Sequence, residues 1–364
     1  MPNHISREPG EVILLGHGDG GRLTRQLIDG IFMPRFSNPI LDHRDDSGLI
    51  PLDDLLSVAL VSDGPSRPCA PENLDLTLAF TTDSFVIHPL FFPGGDIGKL
   101  AVCGTVNDLT VSGAKPLYLT ASFILEEGFD IETLEKIADS MATAARDAGV
   151  RIVTGDTKVV ERGHGDGVFI NTAGIGIKSA RALLGADRLK PGDAVLISGD
   201  IGDHGATIMV NRHDLDIGEG LASDCAALNE MIPQLLEECG DAVKWMRDPT
   251  RGGVATCVAE LASAAGVDIL LFEDRLPINP RVRGTCELLG LDPLYLANEG
   301  KAVIVVERAE AERAVSVLKR TKPGQNAAIV GEVKEGTSKA AVMTKIGGTK
   351  RLDLFAGQPL PRIC

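Results

Sequence analysis

A strand and helix pattern that occurs in both halves of the chain constrains the fold most strongly. In the first half, an apolar run at residues 117–124 is followed by an amphipathic segment at 131–148 and by a second apolar run at 150–154. Apolar residues at helical spacing between two strand-like runs are typical of a strand-helix-strand unit. The second half has a comparable rhythm with different motifs. The pattern therefore predicts an α/β fold, of the α+β type, with two domains.

The length of the chain sets the number of domains. With 364 residues, two domains can each bury a core of their own. Strand-like runs end near residue 180 and begin again near residue 194, which places the boundary between the domains. We predict a glycine-rich segment at residues 1–40, a first α/β domain at 41–180, a second α/β domain at 181–336 and a flexible tail at 337–364.

The overall charge excludes several classes of protein. A formal net charge of −15 argues against a protein that binds nucleic acid or an anionic membrane over a broad face. The first ten residues lack the apolar core of a signal peptide, and the longest aliphatic runs are far too short to span a bilayer. We therefore expect a cytoplasmic protein.

The cysteines draw attention to the end of the sequence. Seven cysteines without a CxxC pair predict neither a disulfide framework nor a zinc site. Cys364, however, is the last residue, and its thiol is a candidate site for the covalent attachment of a chemical group. We expect Gly347 and Gly348 to act as a hinge, from which the extended chain reaches roughly 50 Å at about 3.3 Å per residue. The alternative is that the last residues are a frayed terminus and that Cys364 has no function. A prenyl anchor fits less well because its cysteine lies four residues from the end.

Two kinds of motif point to a phosphate group and a metal ion. A glycine-rich turn at residues 16–21 offers bare amides to an anion, although a plain flexible loop explains it at least as well. Aspartates recur at strand ends and helix starts, and several such oxygen ligands around one pocket suit Mg²⁺. Any one of them alone is more typical of a cap or turn. These residues are Asp46, Asp83, Asp108, Asp156 and Asp248.

Other polar residues are notable for the apolar sequence around them. Asn107 lies beside Asp108 in an apolar helical stretch, and a buried pair of this kind needs polar partners or a metal ion. Lys158 and Glu299 lie in polar motifs between apolar strands. His17 and His204 lie in glycine loops, where histidines face solvent as often as they act in catalysis.

Eight motifs, in order along the chain, resemble those of the HypE family of hydrogenase maturation proteins. The resemblance runs from about residue 10 to residue 364, and the final motif makes it highly specific. The motifs are HGDGG at 17–21, TTDSF at 81–85, PGGDIG at 93–98, VNDL at 106–109, TGDTK at 154–158, DPTRGG at 248–253, NEGK at 298–301 and PRIC at 361–364. More broadly, the chain is similar to the superfamily of aminoimidazole ribonucleotide synthetase and selenophosphate synthetase.

The resemblance implies a fold and an activity. The first domain would bind ATP and pair with its twin into a β-barrel across a homodimer, with the second domain packed beside it. A carbamoyltransferase, HypF, would load a carbamoyl group on Cys364, and the protein would use ATP and Mg²⁺ to dehydrate it to a thiocyanate. The cyano group would then pass to iron held by the HypC–HypD complex, as the cyanide ligand of a [NiFe]-hydrogenase.

The resemblance also implies roles for particular residues. Beside the thiol of Cys364, Lys158 would polarise the carbamoyl oxygen and Glu299 would accept the proton. The expected metal ligands are Asp46, Asp83, Asp108 and Asp248. The expected nucleotide-binding residues are His17, Gly18, Gly20, Gly21, Thr82, Asp83, Asn107, Asp156 and Thr157.

One motif departs from the family pattern. Where relatives have an Asp-Ala-Ala-Val turn, this chain reads DDSGL at residues 45–49, followed by a longer segment up to residue 75. Asp46 and Asp54 are both candidates for the first metal ligand. We prefer Asp46 because FSNP at residues 36–39 precedes it at the family's spacing.

Two other functions remain open alternatives. A small-molecule kinase or ligase, like the purine or selenophosphate enzymes, shares the acidic residues but does not need a terminal thiol. A passive carrier would deliver a group on Cys364 while its nucleotide site served only structure or regulation.

Overall fold

The computed structural model describes residues 12–14, 27–39, 77–178, 183–217, 220–353 and 362–364. Within these ranges the chain forms a four-stranded sheet, a seven-stranded sheet and a two-stranded ribbon. Helices pack against both large sheets, which confirms the predicted α/β fold. None of the helices in these ranges has the length and apolar character that a bilayer span requires.

The four-stranded sheet belongs to the first half of the chain. Residues 77–85 pair antiparallel with residues 168–178, which pair antiparallel with residues 114–125, and the segments at 118–126 and 151–160 are parallel. The parallel strands are connected through helix α3 (Ile131–Asp147), so the predicted strand-helix-strand unit is confirmed. The strand order is β1 (Thr77–Phe85), β6 (Val168–Lys178), β4 (Ala114–Glu126) and β5 (Arg151–Val160).

Two elements precede and support this sheet. A π-helical turn (Ile28–Phe32) leads into the short helix α1 (Met33–Phe36), and their aromatic side chains join the first core. The small ribbon consists of β2 (Phe91–Phe92) and β3 (Gly95–Asp96), which lies directly before the long helix of the first half.

That long helix, α2 (Ile97–Val111), has nearly every residue buried. Asp96 caps it by accepting hydrogen bonds from the amides of Gly98 at 2.7 Å and Lys99 at 3.2 Å. A Cβ at Gly98 would lie 2.3 Å from the carbonyl oxygen of Ile137 in α3, so only glycine permits this close helix contact. Because α2 is enclosed by β1, α3 and the second half, polar residues on it must find partners inside the protein.

The seven-stranded sheet belongs to the second half. Its central strands have apolar side chains buried on both faces, which explains their uninterrupted apolar sequence. The strand order is β13 (Thr349–Leu352), β12 (Ala340–Met343), β9 (Asp268–Phe272), β11 (Ala328–Lys334), β7 (Ala194–Ile197), β10 (Val303–Val306) and β8 (Val243–Arg247).

Helices cover this second sheet and connect it to the first half. Helix α6 (Gly253–Ala265) packs on one face, whereas α5 (Met231–Cys239) and α8 (Ala311–Leu318) pack on the other. Residues of α4 (Asp203–Arg212) and α7 (Pro280–Leu289) join the core of the first half instead.

Two elements of the second half are not evident from the sequence pattern. Helix α5 begins only at Met231, although the helix-like pattern extends back to residue 224, because residues 224–228 hydrogen-bond to other parts of the protein. Strand β8, which precedes the predicted DPTRGG motif, was not expected. It pairs with β10 at the edge of the sheet.

The predicted flexible tail from residue 337 is wrong for residues 340–352. These residues form a hairpin of β12 and β13, and β12 extends the sheet in parallel with β9. The expected hinge is the turn of this hairpin: Gly347 has a φ of 86°, and the amide of Thr344 donates to the carbonyl of Gly348 at 2.7 Å. Leu352 is buried in the second core, so the hairpin is anchored at its end.

A buried amide joins the two halves. Asn107 on α2 donates to the carbonyl oxygens of Ala226 at 3.0 Å and Glu299 at 3.2 Å, and its Oδ1 accepts from the amide of Leu228 at 2.8 Å. The Asn107 side chain thus makes hydrogen bonds only with the backbone of the second half among the described residues. This use of the amide argues against the predicted contact with a nucleotide.

We expect Asn107→Ala to lower the free energy of unfolding by about 2–4 kcal/mol, because it leaves buried backbone groups of the second half without partners. Urea unfolding followed by circular dichroism measures this loss. The control is Gln234→Ala, which removes one exposed hydrogen bond and should change stability by less than about 0.5 kcal/mol. Equal stability of the two variants would contradict a joining role for Asn107.

Candidate active site

Three of the expected metal ligands come together where the two halves meet. Asp83 lies near the end of β1, Asp108 lies in the last turn of α2, and Asp248 directly follows β8. Thr81 donates its hydroxyl to Asp108 Oδ2 at 2.8 Å, which joins β1 to α2. A Cβ at Gly104 would lie 3.3 Å from Asp83 Oδ2, so a glycine on α2 leaves space for this carboxylate.

Asp248 is buried, Asp83 and Asp108 are half-buried, and the three carboxyl groups affect one another. Burial raises the pKa of Asp83 to about 6, and the charge of Asp108 adds to the rise. Burial and then the charge of Asp108 raise the pKa of Asp248 to about 7. Burial also raises the pKa of Asp108, against the effect of the hydrogen bond from Thr81. Carboxylates held together in this way repel each other, and a bound cation would relieve the repulsion.

The donor set fits Mg²⁺ rather than a closed metal cage. In the ranges that the structure describes, no group of three or more His, Cys, Asp or Glu side chains is placed to hold a metal ion together. Mg²⁺ commonly takes one or two carboxylates and completes its shell with water and substrate phosphates. One or two of the carboxylates of Asp83, Asp108 and Asp248 would fit that pattern. Asp46 and its alternative Asp54 lie outside the described residues.

The last three residues of the sequence lie against this group. The amide of Val86 donates to the carbonyl of Cys364 at 3.2 Å, and the amide of His88 donates to the carbonyl of Arg362 at 3.3 Å. Residues 362–364 therefore run opposite in direction to residues 86–88. Ile363 is 4% exposed and packs into the first core. The sequence alone left the position of this terminus open, and the structure gives a docked one.

The thiol of Cys364 lies among charged groups. Burial raises its pKa, and the negative charge of Glu299 adds to the rise, whereas the guanidinium of Arg251 lowers it. Asp83 and Asp248 raise the pKa further. The structure therefore brings the thiol, Glu299 and the acidic residues into one site.

Glu299 is the most enclosed acid of the site. It is 2% exposed, and its Oε1 has no hydrogen-bond partner among the described residues. Its backbone amide donates to Asp224 Oδ1 at 3.0 Å, which fixes its position. Burial and the charge of Asp224 raise its pKa well above the ordinary value. An unoccupied carboxyl oxygen beside the thiol can accept an N–H from a group carried on the sulfur.

Two further acidic residues of the second half, Asp203 and Asp224, lie near Glu299, and the sequence did not reveal them. Burial and the neighbouring Asp224 raise the pKa of Asp203 to about 7. Lys301 Nζ lies 3.8 Å from Asp224 Oδ2 and offsets part of the charge. Lys301 lies in the NEGK motif, but the part that Asp224 plays depends on a loop contact that no spacing in the sequence predicts.

Lys158 does not reach this site within the single chain. Lys158 Nζ pairs with Asp156 Oδ1 at 2.9 Å, and both side chains are mostly exposed. They lie on β5, at the opposite edge of the four-stranded sheet from Asp83 on β1. Three strand spacings of about 4.8 Å make this separation roughly 14 Å. Lys158 also shares the open face of the sheet with its strand partner Ile124, whereas Asp83 faces α2.

The other residues expected at the nucleotide have varied surroundings. Thr82 is exposed and donates its hydroxyl to the carbonyl of Thr172 at 3.1 Å. Thr157 is buried, and its amide donates to Asp156 Oδ1 at 2.8 Å. Hydrogen bonds from the side chain of Lys158 and from the amide of Thr157 lower the pKa of Asp156. The remaining glycine-loop residues, His17, Gly18, Gly20 and Gly21, lie outside the described residues.

Side chains that the sequence did not link to the terminus hold it in place. Arg212, at the end of α4, donates Nε to the carbonyl of His88 at 2.6 Å and also hydrogen-bonds the carbonyl of Arg362. Arg362 donates Nε to the carbonyl of Val86 at 3.2 Å and pairs with Asp166. No motif spacing connects α4 with the last residues, so these contacts follow only from the tertiary structure.

His204 also contacts the terminus. It lies in the first turn of α4 and is fully buried, so it is not a solvent-facing loop residue. Its Nε2 is 2.7 Å from the carbonyl oxygen of Ile363, and its Nδ1 is 2.7 Å from Ser223 Oγ. The ring stands edge to face with Phe92, at 5.4 Å between centroids.

Family models match both halves of the chain. Residues 66–178 match the N-terminal domain of AIR synthase related proteins, and residues 190–343 match their C-terminal domain. The first match contains the strands of the four-stranded sheet, and the second contains β7 to β12.

Individual proteins are similar over nearly the whole chain. One is the carbamoyl dehydratase HypE of Escherichia coli strain K12, with 50% identity over 353 residues, 97% of this chain and 99% of the relative. A crystal structure of HypE in complex with ATP is similar with a TM-score of 0.86, 43% identity, and coverage of 96% of this chain and 99% of that one. A HypE–HypF complex is similar with a TM-score of 0.74, 45% identity, and coverage of 92% and 99%.

We expect the acidic site to make the protein less stable as pH rises from about 4 to about 7. The folded pKa of Asp83 is about 6 against an ordinary value of 3.8, so the folded state binds more protons than the unfolded state in this range. A difference of about two pKa units corresponds to about 3 kcal/mol, present at low pH and lost above the folded pKa. Urea unfolding at several pH values without divalent cations measures the slope.

The test of this prediction is a comparison of slopes. Asp83→Asn removes the titrating group, so its stability should fall less steeply with pH than that of the wild type. Asp147→Asn changes an exposed residue of α3, so the free energy of unfolding of this variant should fall with pH as steeply as that of the wild type. An unchanged slope in Asp83→Asn would show that this carboxyl does not titrate as expected.

Proposed function

Because the chain belongs to the HypE family of carbamoyl dehydratases, which are hydrogenase maturation proteins, we propose that it uses ATP to convert an S-carbamoyl group on Cys364 to a thiocyanate. The family resemblance of the sequence motifs is thereby confirmed. The observation that carries the proposal is the position of Cys364, whose thiol lies beside Glu299 and the acidic residues Asp83 and Asp248.

The proposed step removes the carbamoyl oxygen and two protons. The oxygen attacks the γ-phosphorus of ATP and ADP leaves. The carbon–oxygen bond then breaks, its electron pair departs with phosphate, and two protons leave the nitrogen as the C≡N bond forms. The products are the thiocyanate on Cys364, ADP, phosphate and a proton. Phosphorylation is needed because phosphate is a good leaving group and oxide is not.

Glu299 has the surroundings of the base in this step. Its free Oε1 is buried beside the sulfur, where the carbamoyl nitrogen would lie. Burial and Asp224 raise its pKa, so once ionised Glu299 accepts a proton more readily than an exposed glutamate does. The enclosed site also limits the access of water to the phosphorylated group.

The acidic residues have the surroundings of the Mg²⁺ and phosphate site. Asp83, Asp108 and Asp248 would hold the ion, with Asp46 as the further ligand expected from the sequence. A bound Mg²⁺ would spread the charge of the transferred phosphoryl group. Arg251 lowers the pKa of both Asp83 and Cys364, so its positive charge lies near the thiol and the metal ligands at once.

A homodimer would complete the site by supplying Lys158. The open face of the four-stranded sheet carries exposed apolar side chains, including Leu78, Phe80 and Ile124. A second copy that covered this face would form the expected β-barrel and bury the apolar surface. Lys158 lies on that same face and cannot reach Cys364 of its own chain. We therefore assign the oxygen-polarising role to Lys158 of the second copy.

Loading and discharge require other proteins and a mobile terminus. One similar structure is a HypE–HypF complex, which supports HypF as the carbamoyl donor for Cys364. The HypC–HypD complex as iron-bearing acceptor, and the cytoplasm as location, follow from the family resemblance. Docked residues 362–364 must leave the site for these encounters. The eight residues 354–361 that connect them to the hairpin can extend over roughly 26 Å at about 3.3 Å per residue.

We expect the carbamoylated protein to lose the mass of one water when MgATP is added. Glu299→Gln removes the base while keeping the size of the side chain, so dehydration should slow by about 10²–10⁴-fold. Intact mass spectrometry measures both the loading and the loss of water. Glu332→Gln, a change on β11 away from the site, is the matched control and should react at the wild-type rate.

The outcomes also separate the alternative functions. An unchanged mass with MgATP, together with delivery of the carbamoyl group to an acceptor, would favour a passive carrier. Phosphorylation of a free substrate that survives Cys364→Ala would favour a small-molecule kinase or ligase.

We expect Lys158 to act across the dimer, which a mixed dimer can test. Lys158→Ala and Cys364→Ala should each be inactive as homodimers. A mixed dimer of the two variants should recover activity in one of its two sites, because Cys364 of one chain meets Lys158 of the other. Differently tagged chains, purified as mixed dimers and assayed by the loss of water, measure this recovery. No activity in the mixed dimer would mean that Lys158 acts within its own chain.

A further inference from the structure

We infer that His204 is a positioning residue for the thiol of Cys364, a role that rests on the function proposed above. Its Nε2 is 2.7 Å from the carbonyl oxygen of Ile363, the residue directly before Cys364. A hydrogen bond to this carbonyl fixes the peptide plane that leads to Cys364. It thereby restricts where the sulfur, and any group on it, can lie relative to Glu299.

The terminus is held from two sides. The carbonyls of Arg362 and Cys364 accept hydrogen bonds from the amides of His88 and Val86, which belong to the first half. The carbonyl between them accepts from His204, which belongs to the second half. Arg212 of the second half also hydrogen-bonds the carbonyl of Arg362, but His204 holds the peptide group directly before Cys364. His204 therefore helps to couple the position of the thiol to the second half, which also carries Glu299.

The hydrogen bonds determine the tautomer of His204. A carbonyl oxygen can only accept, so Nε2 carries the proton and donates to Ile363. Nδ1 is then the acceptor for the hydroxyl of Ser223 at 2.7 Å. Ser223 is itself fixed, because its amide donates to the carbonyl of Pro93 at 2.8 Å and its Oγ accepts from the amide of Cys225 at 3.1 Å. Burial lowers the pKa of His204, which agrees with a neutral ring.

These contacts distinguish positioning from acid–base catalysis. Both ring nitrogens of His204 are engaged, so neither is free to exchange a proton with a group on the sulfur. If His204 had only a packing role in the core, it would be buried as well. Its variants would then change the stability of the protein without a specific effect on the exposure of Cys364. The two roles therefore predict different results for a variant that removes only the Nε2 donor.

Two amide substitutions separate the two ring nitrogens. His204→Asn places its amide near the position of Nδ1, so it can keep the contact with Ser223 but cannot reach Ile363. His204→Gln places its amide nitrogen near the position of Nε2, so it can still donate to Ile363. The pair therefore differs in the contact with the terminus while both variants replace the same ring.

The first measurement does not depend on catalysis. The full-length, uncarbamoylated protein is treated with iodoacetamide, and alkylation of Cys364 is followed by intact mass, with Cys364→Ser as the blank. Loss of one buried hydrogen bond should let the thiol leave the site more often, so we expect alkylation about tenfold faster in His204→Asn. His204→Gln should stay within about threefold of the wild type. Equal rates in all three proteins would overturn the inference.

The second measurement connects the contact to the reaction. Dehydration of the carbamoylated protein at saturating MgATP should slow by about tenfold in His204→Asn and much less in His204→Gln, while the KM for MgATP stays unchanged in both. A wild type that never loses water, with alkylation rates that still differ as expected, would contradict the proposed function and leave the positioning role intact. A change in the KM for MgATP alone would contradict the positioning role.

A third measurement keeps His204 intact in case His204→Asn does not fold. Nitrogen-15 NMR of the wild-type imidazole reports which nitrogen carries the proton and whether it is hydrogen-bonded. We expect the Nε2–H signal to shift when residues 362–364 are deleted, because its acceptor is lost. An unchanged signal in the shortened chain would show that His204 does not hold the terminus.

Discussion

The contact between α2 and the second half is the constraint on which the rest of the structure depends. Asn107 uses its whole amide for backbone groups of Ala226, Leu228 and Glu299, at positions enclosed by both halves. The next residue, Asp108, is thereby held beside Asp248 of the second half. This side chain thus helps to set the relation between the acidic residues of the first half and Glu299, together with contacts such as that of Asn229 with the carbonyl of Ala148. Neither half by itself contains a complete site.

Electrostatics determine the protonation state of the docked sulfur. Burial and the surrounding carboxylates raise the pKa of Cys364, so the docked sulfur is a protonated thiol. Loading by a carbamoyl donor requires the nucleophilic thiolate, which is favoured in water rather than in this site. A carbamoylated sulfur, like the protonated thiol, carries no charge, so neither form has an ionic desolvation penalty in this site. Under the function proposed above, the site therefore disfavours loading of the sulfur while it is docked.

The hairpin of β12 and β13 fixes the chain up to Asp353. It anchors the chain through Leu352, and Tyr295 hydrogen-bonds Asp353 through its hydroxyl at 3.1 Å and 3.2 Å. The expected hinge at Gly347 is part of an ordered turn, so the movement that the proposed function requires would begin beyond Asp353. His204 and Arg212 hold the last residues at the site.

The sequence by itself determined the α/β fold, the strand-helix-strand unit of the first half, the apolar central strands of the second, and the residue types of the site. Period-two and period-3.6 patterns are local, so they can be read without knowing which segments meet. Family motifs identified Asp83, Asp108, Asp248, Glu299 and Cys364. Only the tertiary structure decided that Lys158 lies on the open face away from Cys364, that Asn107 joins the halves, and that His204 meets Ile363. These contacts link residues far apart in the sequence, and they depend on strand order and packing that no local pattern encodes.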